Sequence, residues 1–409
     1  MSGARRCTAT IDPGPAAATP ARAADPGRSR DVKVIIAGAG VGGLTAALAL
    51  ARAGAEVEVC EQSPALRDAG GGLQITPNGA RVLHALGLEE MLDEIGIRSE
   101  GVLARDGLRG RTLFHMPIGG DIPYRFVHRS RLTQGLAEAA EAAGAEIRFD
   151  RGVRHLLPDG GVELQSGATV AADLAVGAQG IHSLARMELN GETAPVFTRN
   201  VAWRAVLPGP SVPRSQIWLL PGRHVVSYPL GPELTNLVAV REQAAWVGEG
   251  WHHRDAPGAL QGAFADASDD LQRIFARVEE VHLWGLFRHD VAQVWRRGRS
   301  VILGDAAHPM LPFLSQGANM AIEDGWALAD EVGRGEDIEA ALVRFQARRQ
   351  PRAAAVVAAS RGQAGLYHLR GLPRAGAHIA LRASGSLTPR LMRRRVSWIY
   401  DHDETAARG

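Results

Sequence analysis

The sequence predicts an α/β fold in which a Rossmann-like domain is interrupted by a sheet-rich insert and followed by a helical C-terminal part. Two stretches, at 34–61 and 300–333, each have the pattern of an apolar strand, a glycine-containing turn and a helix. Between them, residues 200–242 alternate apolar and polar positions and are broken by Pro and Gly, which favours antiparallel strands. We therefore expect the two α/β stretches to form one discontinuous domain.

The composition indicates a globular chain. Its 409 residues suffice for two or three domains, and a net charge of +2 gives no basis for binding nucleic acid. No apolar run reaches the roughly 18 residues of a membrane-spanning helix, so no membrane contact is expected. The two cysteines, Cys7 and Cys60, are expected to stay unpaired, as suits the cytoplasm. Residues 1–31 lack periodicity and are expected to form a disordered tail without an export signal.

The first α/β stretch carries a phosphate-binding loop. An apolar strand leads into Gly38-Ala-Gly40-Val-Gly-Gly43, and an Ala/Leu-rich helix follows. In such a loop Gly38 permits the turn, Gly40 lets the backbone approach a pyrophosphate, and Gly43 lets the helix pack on the strand. The helix N-terminus offers unpaired N–H groups to the phosphates. A second strand pattern ends on Glu61, whose carboxylate can accept hydrogen bonds from ribose hydroxyls. The motif predicts a bound dinucleotide, either FAD or NAD(P).

The other elements follow from the same periodicities. Apolar spacing predicts helices at 79–95, 130–143, 256–277, 317–333 and 337–370, the last bent near Pro351. Alternation predicts short strands at 146–149, 161–165, 168–170, 216–220, 225–228 and 235–240.

The second α/β stretch carries the most specific motif. Its strand runs into Gly304-Asp305, and a His-Pro loop leads through Pro312 to Gly317-Ala-Asn319 at a helix start. This stretch closely resembles the Gly-Asp signature of class A flavoprotein monooxygenases, the single-component aromatic hydroxylases. The resemblance implies that Asp305 accepts hydrogen bonds from the ribityl chain of FAD and that the Pro312 loop passes close to the flavin ring. It also implies that Gly317 and Asn319 contact the pyrimidine edge, where a helix N-terminus stabilises negative charge.

Two further segments are similar to the same family. Val127-His-Arg129-Ser-Arg-Leu132 resembles its His-Arg-x-x-Leu stretch, which implies that Arg129 contacts FAD. Residues 173–186 resemble its Asp-Gly motif, but Gln179 stands where the family places aspartate. Glutamine keeps hydrogen-bonding capacity and loses the charge, so Gln179 is expected to bind cofactor while altering the handling of NAD(P)H. Arg186 either serves this motif or forms a surface ion pair.

Residues 203–230 resemble the family's substrate-facing sheet. His224 and Tyr228 are spaced i, i+4 on a strand and therefore share one face. Either could hold or deprotonate a phenol, and a base works best with a pKa near the working pH, which favours His224. The alternative is a core His and Tyr with satisfied hydrogen bonds. With Pro312 these are the candidate catalytic residues. His252-His253 has no partner at metal-ligand spacing, so no metal is expected.

The resemblance implies a complete architecture and reaction. It divides the chain into an FAD-binding domain at 32–190 plus 282–340, a substrate-binding sheet domain at 191–281, and a helical region at 341–409. NADH or NADPH reduces the bound FAD, dioxygen reacts at the flavin C4a to give a hydroperoxide, and a small phenolic or N-heteroaromatic acid is hydroxylated. The expected partners are this substrate and O2, and the expected assembly is a monomer or homodimer.

Three alternatives remain open from the sequence. A related flavoenzyme with other redox chemistry is one, although the Trp-x-Trp-x-Ile-Pro run of flavin-dependent halogenases is absent. An NAD-dependent dehydrogenase is a second, disfavoured by the match from Gly304 to Asp324. A flavin-binding protein with impaired turnover is a third, suggested by Gln179.

Overall fold

The computed structural model describes residues 32–66, 71–118, 121–246, 253–335, 337–387 and 389–406, without the side chains of 384–393. The expected tail at 1–31, with Cys7, lies outside these residues, as does His252.

Strands dominate the first three quarters of the described chain. They are β1 Lys33–Ala37, β2 Glu56–Cys60, β3 Gly72–Ile75, β4 Gly96–Arg98, β5 Val102–Asp106, β6 Thr112–Met116, β7 Arg125–His128, β8 Glu146–Arg148, β9 Val153–Leu156, β10 Val162–Leu164, β11 Thr169–Val170, β12 Leu174–Gly177, β13 Val196–Pro208, β14 Ser215–Leu220, β15 Arg223–Gly231, β16 Leu234–Glu242, β17 Arg254–Asp255, β18 Val281–Arg288, β19 Arg296–Arg297 and β20 Ser300–Ile302.

Helices cover the sheets and form the end of the chain. They are α1 Val41–Arg52, α2 Pro77–Ala85, α3 Glu89–Ile95, α4 Arg129–Ala142, α5 Leu184–Asn190, α6 Pro257–Ala263, α7 Asp269–Phe275, α8 Gly317–Val332, α9 Ile338–Tyr367, α10 Gly371–Leu387 and α11 Pro389–Tyr400. Short 3-10 turns occupy Gly180–His182, Gly304–Ala306 and Pro312–Leu314. None of these described helices is both long and apolar enough to cross a bilayer.

The Rossmann-like domain is built on a six-stranded sheet in the order β19-β20-β12-β1-β2-β8. The strands from β20 to β8 are parallel, and β19 is antiparallel at one edge. The central strand β1 is buried almost throughout, as a parallel strand covered on both faces must be. The largest apolar core surrounds this sheet. The predicted α/β fold is confirmed, and β20 from the second stretch pairs with β12 beside β1, so both stretches contribute to one sheet.

The second large sheet has eight strands in the order β17-β18-β13-β16-β15-β14-β5-β6. It extends beyond the predicted limits of 191–281, because β5 and β6 come from residues 102–116 and β18 runs to Arg288. Strand β5 joins β14 in parallel over five residue pairs, which ties an early segment of the chain to the insert. Domain limits drawn from linear segments miss such an exchange, because non-local strand pairing leaves no local signature.

Two predicted helices are each interrupted. The helix expected at 79–95 ends at Ala85 and restarts at Glu89, because Gly87 adopts φ +62°. Leu88 N–H donates to Leu83 O at 2.9 Å and Gly87 N–H to His84 O at 2.8 Å, which is the Schellman pattern of helix termination. The region 256–277 likewise splits into α6 and α7. By contrast, α9 continues through Pro351.

Candidate active site

Four strand ends bring the sequence motifs together. Strands β1, β2, β12 and β20 are mutually parallel in the sheet, so their carboxyl ends lie at one edge. The segments that leave this edge begin at Gly38, Glu61, Ala178 and Leu303 respectively, and Gly304 follows Leu303. In an open α/β sheet this edge is where ligands bind. The residues predicted from separate motifs therefore converge on one region.

The first glycine loop has the shape that its three roles require. Gly38 has φ +109°, and a Cβ there would lie 2.6 Å from Ala178 O. A Cβ on Gly43 would lie 2.0 Å from Gly38 O, so only glycine lets α1 approach the strand. A Cβ on Gly40 would meet nothing within 4 Å, and no side chain caps the N-terminus of α1. The space and unpaired N–H groups at Gly40 suit a phosphate.

Glu61 lies directly after β2, beside this loop. Its two carboxylate oxygens accept hydrogen bonds from Ala39 N–H and Ser63 N–H, each at 2.9 Å. Each oxygen keeps a second lone pair. The backbone thus orients the carboxylate at the edge where the ribose of a dinucleotide would lie.

The second loop presents an unpaired carboxylate. Gly304 has φ +60° and donates its N–H to Asp324 Oδ2 at 3.0 Å, which fixes the turn. Asp305 is exposed, and within the described residues its carboxylate makes no hydrogen bond or ion pair with the protein. A Cβ on Gly317 would lie 3.9 Å from Asp305 Oδ1, so the N-terminus of α8 faces the same space. The predicted cofactor residues of this loop are brought together, and Pro312 lies nearby on the cavity wall.

The side chains of two predicted cofactor ligands, Asn319 and Gln179, are hydrogen-bonded to other protein groups. The fully buried Asn319 side chain donates to Gln74 O at 2.8 Å and Ser315 O at 2.7 Å and accepts from Thr76 N–H at 3.0 Å. Its side chain braces β3 against the second loop, and contact of this residue with a flavin edge stays a prediction. Gln179 donates to Val153 O at 2.8 Å and accepts from Ser183 Oγ at 3.2 Å, and it does not line the cavity.

A buried ionic cluster beneath the second loop was not foreseen from sequence. Asp324 accepts from His308 Nε2 at 2.5 Å and from Arg349 Nε at 2.8 Å, and Arg349 also pairs with Glu404 at 2.5 Å. Burial raises the pKa of Asp324, but the charges of His308 and Arg349 outweigh burial and hold it well below its usual value. The cluster connects the C-terminal end of the chain to the Gly304 turn.

The same cluster includes the one group of potential metal ligands found among the described residues. Glu323, His402 and Glu404 place ligand atoms within 4.8 Å of one another. Glu323 is already paired with Arg349 at 2.8 Å and Arg352 at 2.7 Å. Because Glu323 and Glu404 already pair with guanidinium groups, the geometry fits an ion-pair network better than a metal centre.

A cavity of about 260 Å³ separates the two motif loops from the eight-stranded sheet. The sheet wall is formed by alternate residues of β15 and their neighbours on β16 and β13, namely His224, Val226, Tyr228, Val238, Val240 and Arg204. The opposite wall includes Gly40, Gly304, Asp305, Pro312 and Gly317. The predicted shared face of His224 and Tyr228 is therefore present and faces the predicted cofactor loops.

The sequence favours His224 as a base because its pKa is expected to lie near the working pH, and its surroundings change that expectation. Burial, and then the neighbouring His368, lower the pKa of His224 well below its usual value. His224 is thus a neutral imidazole near neutral pH, with one of its two ring nitrogens protonated and the other carrying a lone pair. Burial raises the pKa of Tyr228 to about 12, so it remains a phenol. The tyrosine ring stacks on Phe126 with centroids 5.0 Å apart, and its surroundings include Gln74.

Arg204 is a cavity residue that the sequence did not single out. Its guanidinium lies over the Trp284 ring, 5.2 Å from the centroid, and its Nε is buried without a hydrogen-bond partner. Burial lowers the pKa of Arg204, Tyr228 raises it, and the like charge of Arg129 lowers it further. Arg129 also lines the cavity, and its predicted contact with FAD stays a prediction. Within the described residues no carboxylate neutralises Arg204.

Arg186 is buried and not at the surface. It donates from Nη1 to Ala306 O at 3.0 Å and Ala307 O at 3.1 Å, and from Nη2 to Asp290 O. The guanidinium therefore holds the carbonyls of the segment after Asp305. A surface ion pair, one of the alternatives considered above, is wrong.

The residues present fit a bound FAD. Gly40 leaves room at an uncapped helix N-terminus for a pyrophosphate, and the unpaired carboxylate of Asp305 faces the same cavity as the start of α8. Between the first glycine loop and the start of α8, the carboxylates of Glu61 and Asp305 are hydrogen-bond acceptors and the Arg129 guanidinium is a cation. These groups match the adenosine, the phosphates and the polyol chain of the dinucleotide.

Comparisons with known proteins agree with this geometry. The family described as an FAD binding domain matches residues 31–360. A 3-amino-4-hydroxybenzoate 2-monooxygenase of Streptomyces platensis is 36% identical over 82% of this chain and 89% of its own length. A 3-hydroxybenzoate 6-hydroxylase of Aquipseudomonas alcaligenes is 32% identical over 90% of this chain and 97% of its own.

Solved structures show the same fold. A salicylate hydroxylase in a substrate complex superposes with a TM-score of 0.78 at 22% identity, covering 92% of this chain and 96% of that one. Because the family match spans most of the chain and the aligned relatives are monooxygenases, this protein belongs to the FAD-binding-domain family and is an FAD-dependent, NAD(P)H-consuming monooxygenase of class A.

Proposed function

We propose that the substrate is a small aromatic acid, phenolic or N-heteroaromatic, whose carboxylate pairs with Arg204 while its ring is hydroxylated. The observation that carries this proposal is a guanidinium in the cavity without a protein counter-ion among the described residues. A desolvated cation is costly unless it is paired. A substrate carboxylate supplies that missing partner with the planar, two-oxygen shape that a guanidinium binds best.

The relatives support an acid as substrate. Both of the curated relatives described above act, by name, on a hydroxybenzoate, which carries a carboxylate and a phenolic hydroxyl on one ring. A ring anchored through its carboxylate at Arg204 can place a hydroxyl toward His224 and Tyr228, because all three side chains lie on one face of the sheet. The apolar Val226 and Val238 between them provide contact for the ring.

The cofactor roles of the loops are part of the same proposal. Gly38, Gly40 and Gly43 form the pyrophosphate loop, and Glu61 accepts from the ribose. Arg129 and Asp305 hold the phosphate and ribityl portions, and the N-terminus of α8 at Gly317 faces the flavin. When bound, FAD would supply the redox chemistry: a hydride from NAD(P)H, one proton and one O2 convert a ring C–H into C–OH and yield one water. Pro312 and Phe313 close the cavity over this region and exclude bulk water.

His224 and Tyr228 act on the substrate hydroxyl. Tyr228 remains protonated and donates or accepts a hydrogen bond, because its pKa is raised to about 12. His224 is neutral and lines the cavity, and its Nδ1 is engaged by His368, which leaves Nε2 as the ring nitrogen for the substrate. Removing the phenolic proton raises the electron density of the ring, which favours attack by an electrophilic oxygen.

Substrate-stimulated NAD(P)H oxidation tests the proposal. The FAD-loaded protein is assayed with hydroxybenzoates and hydroxynicotinates, each beside its primary amide as an uncharged counterpart. The acids should stimulate NAD(P)H consumption and form a hydroxylated product, whereas the amides should be much weaker. Equal stimulation by acids and amides would refute the role of Arg204, and no stimulation by any aromatic acid would refute the substrate class.

We also propose that the protein works as a monomer or homodimer in the cytoplasm. Cys60 is a free, buried thiol, which is compatible with a reducing compartment. Light scattering of the FAD-loaded protein tests the assembly, since a higher oligomer would contradict it.

A further inference from the structure

A line of hydrogen-bonding side chains leads from the cavity to the protein surface. His224 Nδ1 lies 2.8 Å from His368 Nε2. His368 Nδ1 in turn lies 3.5 Å from Glu242 Oε1, whose side chain is 44% exposed. Three ionisable groups thus connect the substrate side of the sheet with solvent.

The fold holds these three groups in register. His368 caps the C-terminus of α9, and its carbonyl accepts from Gly222 N–H at 3.1 Å. Gly222 O accepts from Glu242 N–H at 3.0 Å, so the backbone joins the helix end to the strand that carries Glu242. Arg370 Nη2 contacts Glu242 Oε2 at 2.5 Å and fixes the carboxylate.

Aromatic rings separate the inner part of the line from bulk water. The His224 ring lies 5.4 Å from the Phe313 ring and 5.0 Å from the Tyr367 ring, measured between centroids. His224 and His368 are both buried. A proton taken up by His224 therefore has no direct route to solvent through these rings.

We propose that His368 and Glu242 form a proton relay that carries the substrate's hydroxyl proton from His224 to solvent. The proposal rests on the proposed function, because it takes His224 as the group that meets the substrate hydroxyl. His368 and Glu242 do not touch the substrate in this scheme and act as positioning residues.

The carboxylate sets the tautomer of both histidines. Glu242 only accepts when ionised, so it favours a proton on His368 Nδ1. His368 Nε2 is then a lone pair that requires a donor, which places a proton on His224 Nδ1. The remaining lone pair of His224, on Nε2, is then available to the substrate. Glu242, at the surface, thereby orients the base His224 through His368.

The transfer is balanced at each step. The substrate O–H bond breaks and a bond to His224 Nε2 forms, while the Nδ1 proton of His224 passes to His368 Nε2. The Nδ1 proton of His368 passes to Glu242, which releases it to water. Both histidines end neutral in the opposite tautomer, and one proton has left the cavity. Their return to the starting tautomers requires ring reorientation or reverse proton movement between turnovers.

The electrostatics favour relaying the proton over storing it. Burial and the neighbouring His368 disfavour an imidazolium at His224. The net pKa of His368 is lowered to about 4, because burial and Arg370 lower it by more than Glu242 raises it. The aromatic neighbours Phe313 and Tyr367 carry no charge at neutral pH, since burial raises the pKa of Tyr367. A concerted transfer avoids a long-lived buried cation.

Variants of the outer groups test the relay by kinetics. In the FAD-loaded enzyme, Glu242→Gln and His368→Gln should lower kcat at neutral pH by about tenfold or more, a part of the 10²–10⁴-fold that proton transfer contributes. KM and FAD content should change little. The deficit should close as the pH approaches about 10, where a phenol ionises unaided. The exposed Glu233, on the β15–β16 turn, supplies the control Glu233→Gln.

The shape of the pH profile distinguishes a relay role of Glu242 and His368 from a structural role. A deficit of equal size at every pH would indicate a structural effect and would overturn the relay, as would rates equal to those of the unmodified enzyme. If no aromatic acid stimulates turnover even in the unmodified enzyme, the proposed function fails and the relay is decided by the next measurement alone.

Imidazole ¹⁵N spectra test the relay without turnover. In the FAD-loaded protein at pH 7, both histidines should be neutral with the proton on Nδ1, with their signals assigned from His224→Gln and His368→Gln. Glu242→Gln should weaken the Nδ1–H preference of His368, and Glu233→Gln should not. A proton on Nε2 of either histidine in the unmodified protein would overturn the relay, because the lone pair would then face away from its required partner.

Discussion

Replacing Arg204 by methionine isolates the contribution of one charge in the cavity. Methionine retains an unbranched apolar stem over Trp284 and removes the guanidinium. Truncating one partner of a buried, hydrogen-bonded charge pair costs about 2–5 kcal/mol, and the partly open position of Arg204 favours the lower end, about 2–3 kcal/mol. At about 1.4 kcal/mol per tenfold, binding of the aromatic acid should weaken about 30- to 150-fold.

The same replacement should not destabilise the substrate-free protein. The buried Nε of Arg204 lacks a partner, so an apolar residue relieves a desolvated charge. We expect the Tm of the FAD-loaded Arg204→Met protein to equal or exceed that of the unmodified protein. Arg241→Met is the matched control: Arg241 lies over Trp203, 4.8 Å from its ring centroid, on the neighbouring strand and outside the cavity lining.

The assay is a titration followed by the change in flavin absorbance on ligand binding. The ligands are the aromatic acid that best stimulates turnover and its primary amide. Arg204→Met should lose affinity for the acid and not for the amide, and Arg241→Met should bind both normally. An equal loss for both ligands, or none for the acid, would refute the reasoning that Arg204 pairs with the carboxylate.

The other predictions concern the cofactor loops and the ionic cluster. Asp305→Ala should abolish FAD retention, measured as flavin absorbance per protein; normal flavin content would contradict the placement of this carboxylate. Gly43→Ala should unfold at a lower temperature than Gly40→Ala, since its Cβ would lie 2.0 Å from Gly38 O while that of Gly40 meets nothing within 4 Å; equal Tm values would count against the loop geometry. The folded pKa of Glu404 is about 2 against a usual 4.5, because its partners His402, Arg349 and Arg348 outweigh burial. Its stabilisation is therefore complete above about pH 4.5 and lost as the pH falls toward 2, on the order of 3 kcal/mol; Glu404→Gln should flatten the acid limb of unfolding free energy, and an unchanged limb would contradict this.

Local chemistry explains why the cofactor loops could be predicted. The turn at Gly38, the close approach at Gly43 and the open position at Gly40 follow from short-range sterics, which the glycine spacing encodes. The shared face of His224 and Tyr228 follows from the two-residue period of a strand. These features need no knowledge of distant parts of the chain.

The features that were missed depend on contacts between distant residues. Arg204 lacks a carboxylate partner among the described residues, and this depends on side chains from the neighbouring strands β16 and β15. The Asn319 side chain bonds to the end of β3, some 240 residues away in sequence. The exchange of β5 and β6 into the eight-stranded sheet has the same origin. The low pKa of His224 depends on burial and on His368, from the end of α9. The effect of Gln179 on reduction by NAD(P)H stays a prediction, although its side chain is bonded to Val153 and Ser183.

Oxygen labelling tests the central claim most directly. The FAD-loaded protein is supplied with NAD(P)H, an aromatic acid that stimulates turnover, and ¹⁸O2, and the product is analysed by mass spectrometry. The account predicts one molecule of ring-hydroxylated acid for each NAD(P)H consumed productively. Each product molecule should carry one ¹⁸O atom. A hydroxylated product without label, or oxidation of NAD(P)H with only hydrogen peroxide as product for every acid that binds, would contradict it.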